Sequence, residues 1–141
     1  MARQSSEAQN MGLVQQLYQT AMEDNLSGLL ELCAPDAVWE YPPIEGVAWS
    51  RTWQGHEEIT RWAELHDAED AILDLRPEEY LADGDRVIVL GFARMRTVAT
   101  GREWATRFVH AVRIHDRKIQ RFEAYFDTAA CVEAHGLVAA A

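Results

Sequence analysis

Apolar and polar residues alternate with a period of two over three consecutive stretches, Arg86–Arg96, Glu103–Ile114 and Lys118–Phe126. This predicts three antiparallel strands in a row. Asp83-Gly84-Asp85 forms a turn before the first, and Thr100-Gly101-Arg102 and His115-Asp116-Arg117 form turns between them. Upstream the period changes. Met11, Val14, Leu17, Tyr18, Ala21 and Met22 recur at helical spacing after Ser6, a candidate N-cap. Asn25 or Ser27 can cap a second helix, Leu26–Leu32, stopped by Pro35-Asp36. Ala37–Tyr41 reads as a short strand ended by Pro42-Pro43, and Ile44–Gln54 as a tryptophan-bearing loop. Gly55 opens a third helix with Ile59, Trp62, Ala63 and His66 on its faces. Ala71–Leu81 is a strand interrupted at Pro77, which fits a sheet edge. Asp127-Thr128 caps a last short helix, Ala129–His135, closed by Gly136, and the Ala139–Ala141 tail reads as frayed.

Helices first and an antiparallel sheet later make an α+β domain, a single one spanning residues 1–141. The expected architecture is a curved, cone-shaped, mostly antiparallel sheet with the N-terminal helices enclosing a pocket, a natural small-molecule site.

Composition narrows the partners. Of the 141 residues 48% are apolar, so the chain can bury a core. The formal charge of −10 argues against nucleic acid and anionic membranes, which reward excess Lys and Arg. No apolar run is long enough to span a bilayer, and the N-terminus has no basic stretch leading into an apolar run of the signal-peptide kind. Cys33 and Cys131 lie far apart without C-x-x-C spacing. They read as reduced core thiols of a cytoplasmic protein rather than as metal ligands.

The pattern resembles the nuclear transport factor 2-like superfamily, and within it the SnoaL-like branch. That branch is similar to polyketide cyclases, ketosteroid isomerases and limonene epoxide hydrolase. The likeness is carried by Leu30-Glu-Leu-Cys-Ala-Pro-Asp-Ala-Val-Trp39 and Trp53-Gln-Gly-His-Glu-Glu-Ile59, then by Thr100-Gly-Arg102, Asp116-Arg-Lys-Ile119 and Glu123-Ala-Tyr-Phe-Asp-Thr128. It implies the fold firmly and the reaction weakly, because this fold hosts many chemistries. At the positions resembling the hydrolase's catalytic Arg, Asp and second Asp stand Gly91, Ala93 and Ala124. None can activate a water, so epoxide hydrolysis by that machinery is not expected. The loss at Ala124 also weakens a cyclase mechanism with an aspartate base on the last strand.

Strand parity sorts the remaining candidates. Thr106, Phe108, His110, Val112 and Ile114 share one face of the middle strand, with Val89, Gly91, Ala93 and Met95 on the strand before and Phe122, Ala124 and Phe126 on the last. These are expected to face the cavity. The opposite face mixes Ile88, Leu90, Phe92, Val109 and Ala111 with Arg94, Arg96, Arg107, Arg121, Glu123 and Tyr125, which suits a homodimer interface. His110 is the best general acid or base in the cavity, against the alternative of a hydrogen-bonded core histidine. Tyr41 and Trp39, at the mouth, can hold a carbonyl or phenolate oxygen. Asp127 is a third catalytic candidate against its capping role. Trp39, Ala93, Met95, Thr106, Phe108, Phe122, Ala124 and Phe126 are the expected substrate-binding walls, with Trp49, Trp53 and Trp62 at the rim. Glu123 faces away and pairs with Arg107 or Arg121 unless a bulge reverses it. Glu40 points outward. His56 and His66 read as solvated and His115 as a turn residue. His56-Glu57 is not H-E-x-x-H, so no zinc is indicated, and no phosphate loop or nucleophile elbow occurs. The expectation is an isomerase, cyclase or dehydratase without metal or cofactor, acting on a small apolar or aromatic carbonyl- or phenol-bearing ligand. The alternative is a non-catalytic binding or dimerisation module.

Overall fold

In the computed structural model, residues 2–137 are described, with side chains from residue 6; the Ala139–Ala141 tail lies outside them. The element order is α1 (Ala2–Met22), α2 (Leu26–Glu31), β1 (Cys33–Glu40), β2 (Thr52–Gln54), α3 (Gly55–Glu69), β3 (Asp70–Asp83), β4 (Arg86–Thr97), β5 (Glu103–His115), β6 (Lys118–Phe126) and α4 (Thr128–Ala134). This is the expected α+β arrangement. The six strands form one sheet in the order β2-β1-β6-β5-β4-β3, antiparallel throughout except where β1 lies parallel to β6.

Most boundaries follow local chemistry. Asn25, not Ser27, caps α2, accepting a hydrogen bond from the Gly28 N–H. Asp127 caps α4 by accepting from the Ala130 N–H, and Gly136 beyond the helix takes a positive φ of 71°. Three expectations fail. The loop expected over Ile44–Gln54 ends in β2, whose Trp53 pairs opposite Trp39 of β1. Ser6 lies inside α1, which begins at Ala2. Pro35 does not stop α2 but sits within β1, in the interval Cys33–Val38 where the register against β6 shifts and its missing N–H costs no ladder bond. Pro77 sits on the edge strand β3, beside a register shift between Pro77 and Glu79.

Register fixes the faces. Val89 opposes His110, Ala93 opposes Thr106, and His110 in turn opposes Ala124 across β6. The β5–β6 register is unbroken from Phe108–Phe126 to Arg113–Arg121, so no bulge turns Glu123 inward. It bonds Arg121, while Arg107 pairs with Glu78. Glu40 also reaches Arg121. The concave face buries Val87, Val89, Ala93, Thr106, Phe108, Val112, Phe122 and Ala124 in one core with Val14, Leu17 and Tyr18 of α1, Leu29 of α2 and Ile59 of α3. Gly91 is required by this packing. A Cβ there would stand 2.3 Å from Phe108 Cζ and 2.5 Å from the Arg76 carbonyl oxygen. The phenyl ring thus occupies the space that a longer side chain at position 91 would need.

Candidate functional site

The cone holds an inner chamber of about 100 Å³ between the sheet and α1–α3. All eight expected wall residues, Trp39, Ala93, Met95, Thr106, Phe108, Phe122, Ala124 and Phe126, line it, together with His110 and Tyr41. Parity delivers the strand residues, and the Trp39–Phe122 register carries Trp39 and then Tyr41 to the same face. Two of the expected rim tryptophans, Trp49 and Trp62, are part of the wall itself. Trp53 is not; it is buried beside Trp39 on β2 and donates to the Trp49 carbonyl, with the Arg51 guanidinium over its outer face. Asp127 is exposed, spends its carboxylate on the α4 cap, and does not line the chamber. A volume of this size takes about one ring. A larger ligand must extend into the adjoining outer chamber of about 470 Å³, which shares Ala21, Leu29, Trp62, His66, Ile72 and Leu75 with the inner one.

His110 is sheathed by aromatic rings. Its ring lies 4.1 Å from that of Phe108, 4.6 Å from Phe122 and 5.8 Å from Tyr18. The Tyr18 hydroxyl bonds Nδ1 at 2.6 Å, and Nε2 has no partner among the described residues. Burial without a charged partner lowers the His110 pKa from 6.5 to about 3, so the ring is neutral across the physiological range. Burial pushes the Tyr18 and Tyr41 hydroxyls upward. Both stay protonated. Among the described residues, the buried side-chain polar atoms with no partner are the indole nitrogens of Trp39 and Trp62, and both indoles line the chamber. The Thr106 hydroxyl has already committed its proton. It donates to the Arg107 carbonyl and accepts from the Asp127 N–H.

The histidine titration has a consequence for stability. Above pH 6.5 the ring is neutral whether the chain is folded or not. As pH falls toward 3, the unfolded chain binds a proton that the folded chain refuses. His110 therefore contributes stability that is present above the unfolded pKa and is lost as pH falls below it, about 2 kcal/mol by pH 5. His66, lowered chiefly by burial against the opposing pull of Asp70 and Asp67, acts in the same sense. Chemical denaturation at pH 7.5 and 5 is expected to show this loss, with a shallower pH slope in His110→Gln. An unchanged slope in that variant would contradict the assignment.

His66 is thus not solvated. It is 7% exposed and packs 4.4 Å from the Trp49 ring. His56 is half-buried and bonds the Cys33 carbonyl oxygen at 3.1 Å. His115 is exposed at the end of β5, bordering the turn as expected.

Behind the chamber lies a polar hub centred on Asp70, 0% exposed. Its Oδ2 accepts from Trp49 Nε1 at 2.8 Å and His135 Nε2 at 2.6 Å. Its Oδ1 accepts from Thr97 Oγ1 at 2.7 Å and Trp104 Nε1 at 3.0 Å. One carboxylate thereby ties the 41–51 loop, β4, β5 and the end of α4 to the start of β3. Asp70, His135 and Cys131 bring ligand-type atoms within 4.8 Å of one another. The carboxylate is already saturated by four donors, and burial holds the Cys131 thiol protonated, its pKa raised to about 12. This is the chemistry of a structural knot, not of a cation site. Cys33 and Cys131 are both free and buried.

Among the described residues, no helix is long and apolar enough to cross a membrane. No curated protein matches the chain. Solved structures match closely in shape. An NTF2-like protein of unknown function from Burkholderia pseudomallei K96243 is 31% identical, with TM-score 0.84 over 89% of this chain and 96% of its own. TerC, co-crystallised with polyporic acid, is 27% identical, with TM-score 0.83 over 91% and 98%. An NTF2-like protein from Burkholderia xenovorans LB400 is 26% identical, with TM-score 0.83 over 92% and 97%. Residues 14–122 match the SnoaL-like domain, a stretch holding both chambers' helices and the His110 strand. The protein belongs to the SnoaL-like domain family.

Proposed function

We propose that the protein is an acid–base enzyme that uses side chains alone to isomerise, cyclise or dehydrate a small apolar carbonyl- or phenol-bearing compound. The observation that carries this reading is His110. It lines an aromatic chamber with Nδ1 held by Tyr18 and Nε2 without a partner among the described residues. With Nδ1–H donating to the Tyr18 oxygen, Nε2 carries the lone pair. It takes a proton from the carbon beside a carbonyl, and the electron pair moves onto the carbonyl oxygen. Tyr41 O–H and the Trp39 N–H hold that oxygen as it becomes negative. The proton on Nε2 then returns to another carbon; or the enolate carbon attacks a second carbonyl of the same molecule, whose C=O π-bond opens onto an oxygen that takes the proton; or a β-hydroxyl takes the proton and leaves as water as the enolate collapses to the alkene. Low basicity is no bar, since weak bases enolise ketones where strong donors hold the oxygen. The likeness to TerC, crystallised with polyporic acid, supports a small organic ligand.

A flat phenol mimics the enolate. 2-Naphthol is expected to bind the wild type about tenfold more tightly than Tyr41→Phe, the scale of one hydrogen bond to a polar acceptor. Equal binding would remove Tyr41 from this role.

The second reading, a non-catalytic binding module, draws on Gly91, Ala93 and Ala124, which leave the chamber without a carboxylate. It predicts the same phenol binding and no proton transfer.

In either reading the protein acts as a cytoplasmic homodimer. The convex face supports this, with half-buried Ile88, Leu90, Phe92 and Val109 beside Arg94–Glu103 and Arg121–Glu123 pairs and a Tyr125 that is 50% exposed. Light scattering at micromolar concentration is expected to give twice the 16.0 kDa chain mass; a monomer would refute it.

A further inference from the structure

We infer that the cavity admits its ligand as an uncharged carbonyl compound and rejects the carboxylate form of the same skeleton, with Asp24 and Asp67 at the mouth setting this charge selection. The inference rests on the ligand-binding reading above and holds for either the enzyme or the binding module.

The inner chamber offers donors and no cation. The Trp39 indole, 1% exposed, and the Trp62 indole bring buried N–H groups without a partner among the described residues. An indole N–H only donates, so each is satisfied by an acceptor on the ligand. Among the described residues, neither chamber is lined by a Lys or Arg. The two histidines in the walls, His66 and His110, have their charged forms disfavoured by burial. A carbonyl oxygen therefore finds its hydrogen bonds here, whereas a full negative charge is stripped of water and meets no counter-charge.

The mouth adds a second, longer-range discrimination. The outer chamber carries Asp24, Asp67 and Asp74. Asp74 is paired with Arg76 at 2.7 Å, but Asp24 and Asp67 are exposed and make no ion pair among the described residues. Because the inner chamber holds about one ring, the rest of a larger ligand lies beside these carboxylates. They repel an anion and leave a neutral molecule unaffected.

Two naphthalenes of nearly equal shape test this, 2-acetylnaphthalene as the neutral ketone and 2-naphthoate as the anion, by equilibrium dialysis at pH 7.5. The ketone is expected to bind, and the naphthoate at least about tenfold more weakly. In Asp24→Asn/Asp67→Asn the ketone's Kd stays the same while the gap narrows by about threefold, an effect that added salt also produces in the wild type. Naphthoate binding as tightly as the ketone would overturn the inference while leaving the pocket reading intact. A gap unchanged in the double variant would overturn the role of the two aspartates. Binding of neither probe would defeat the pocket reading itself, and the charge selection with it.

Discussion

Asp70→Ala is expected to lower the melting temperature by more than about 10 °C. The substitution removes the one acceptor shared by Trp49, Trp104, Thr97 and His135. Four donors are then left buried without partners. Breaking a buried charged network costs ~3–5 kcal/mol, a large share of the ~5–15 kcal/mol that holds a domain together. For a chain of this size each kcal/mol moves the midpoint by several degrees. Asp70→Asn is not expected to rescue it. The amide matches the shape but presents its NH₂ to groups that are themselves donors. Phenol binding should weaken in parallel, because Trp49 is both a ligand of the hub and a wall of the chamber. A melting temperature within about 2 °C of wild type would show that the hub contributes nothing.

The second large effect is on chemistry. His110→Gln is expected to reduce proton transfer by about 10²–10⁴-fold, the range of a positioned general base. The glutamine keeps an amide partner for the Tyr18 hydroxyl, so the fold should persist, and far-UV circular dichroism with a near-native melting temperature checks this. Tyr18→Phe keeps the ring of His110 but frees Nδ1, and a smaller loss of about tenfold is expected. Because the His110 pKa lies near 3, the wild-type rate should show no acid limb between pH 5 and 8. A limb near 6.5 would mean that the catalytic histidine is a hydrated one elsewhere.

The strands of the second half were legible because period-two alternation is strict and the intervening turns carry Gly and Asp. Parity then placed Ala93, Thr106, Phe108, His110, Phe122 and Ala124 on one face, where they lie. The same parity reaches Trp104, two residues before Thr106, and the 59, 62, 66 spacing on α3 puts His66 with Ile59 and Trp62 on the buried side. On α3 that spacing runs against the polarity usual for a histidine. Tyr18 is different. It meets His110 across 92 positions of sequence, and helical spacing says only that Tyr18 is apolar-facing, not which strand residue lies beneath it. Asp70 had no local signal at all. It is one of several acidic residues at a helix–strand junction, and its burial is decided by donors 21 to 65 residues away. Pro35 misled because proline normally ends a helix, whereas here it fills a gap in the β1–β6 ladder.

The central claim is that His110 Nε2 moves a proton at a carbon next to a carbonyl held by Tyr41 and Trp39. It can be tested without the physiological substrate by following deuterium uptake at the α-carbon of 2-tetralone in D₂O by proton NMR. The account predicts exchange above the buffer rate with the wild-type protein, a loss of about 10²-fold or more in His110→Gln and an intermediate rate in Tyr41→Phe. Exchange at the buffer rate with the wild type, or equal exchange by wild type and a folded His110→Gln, would contradict it.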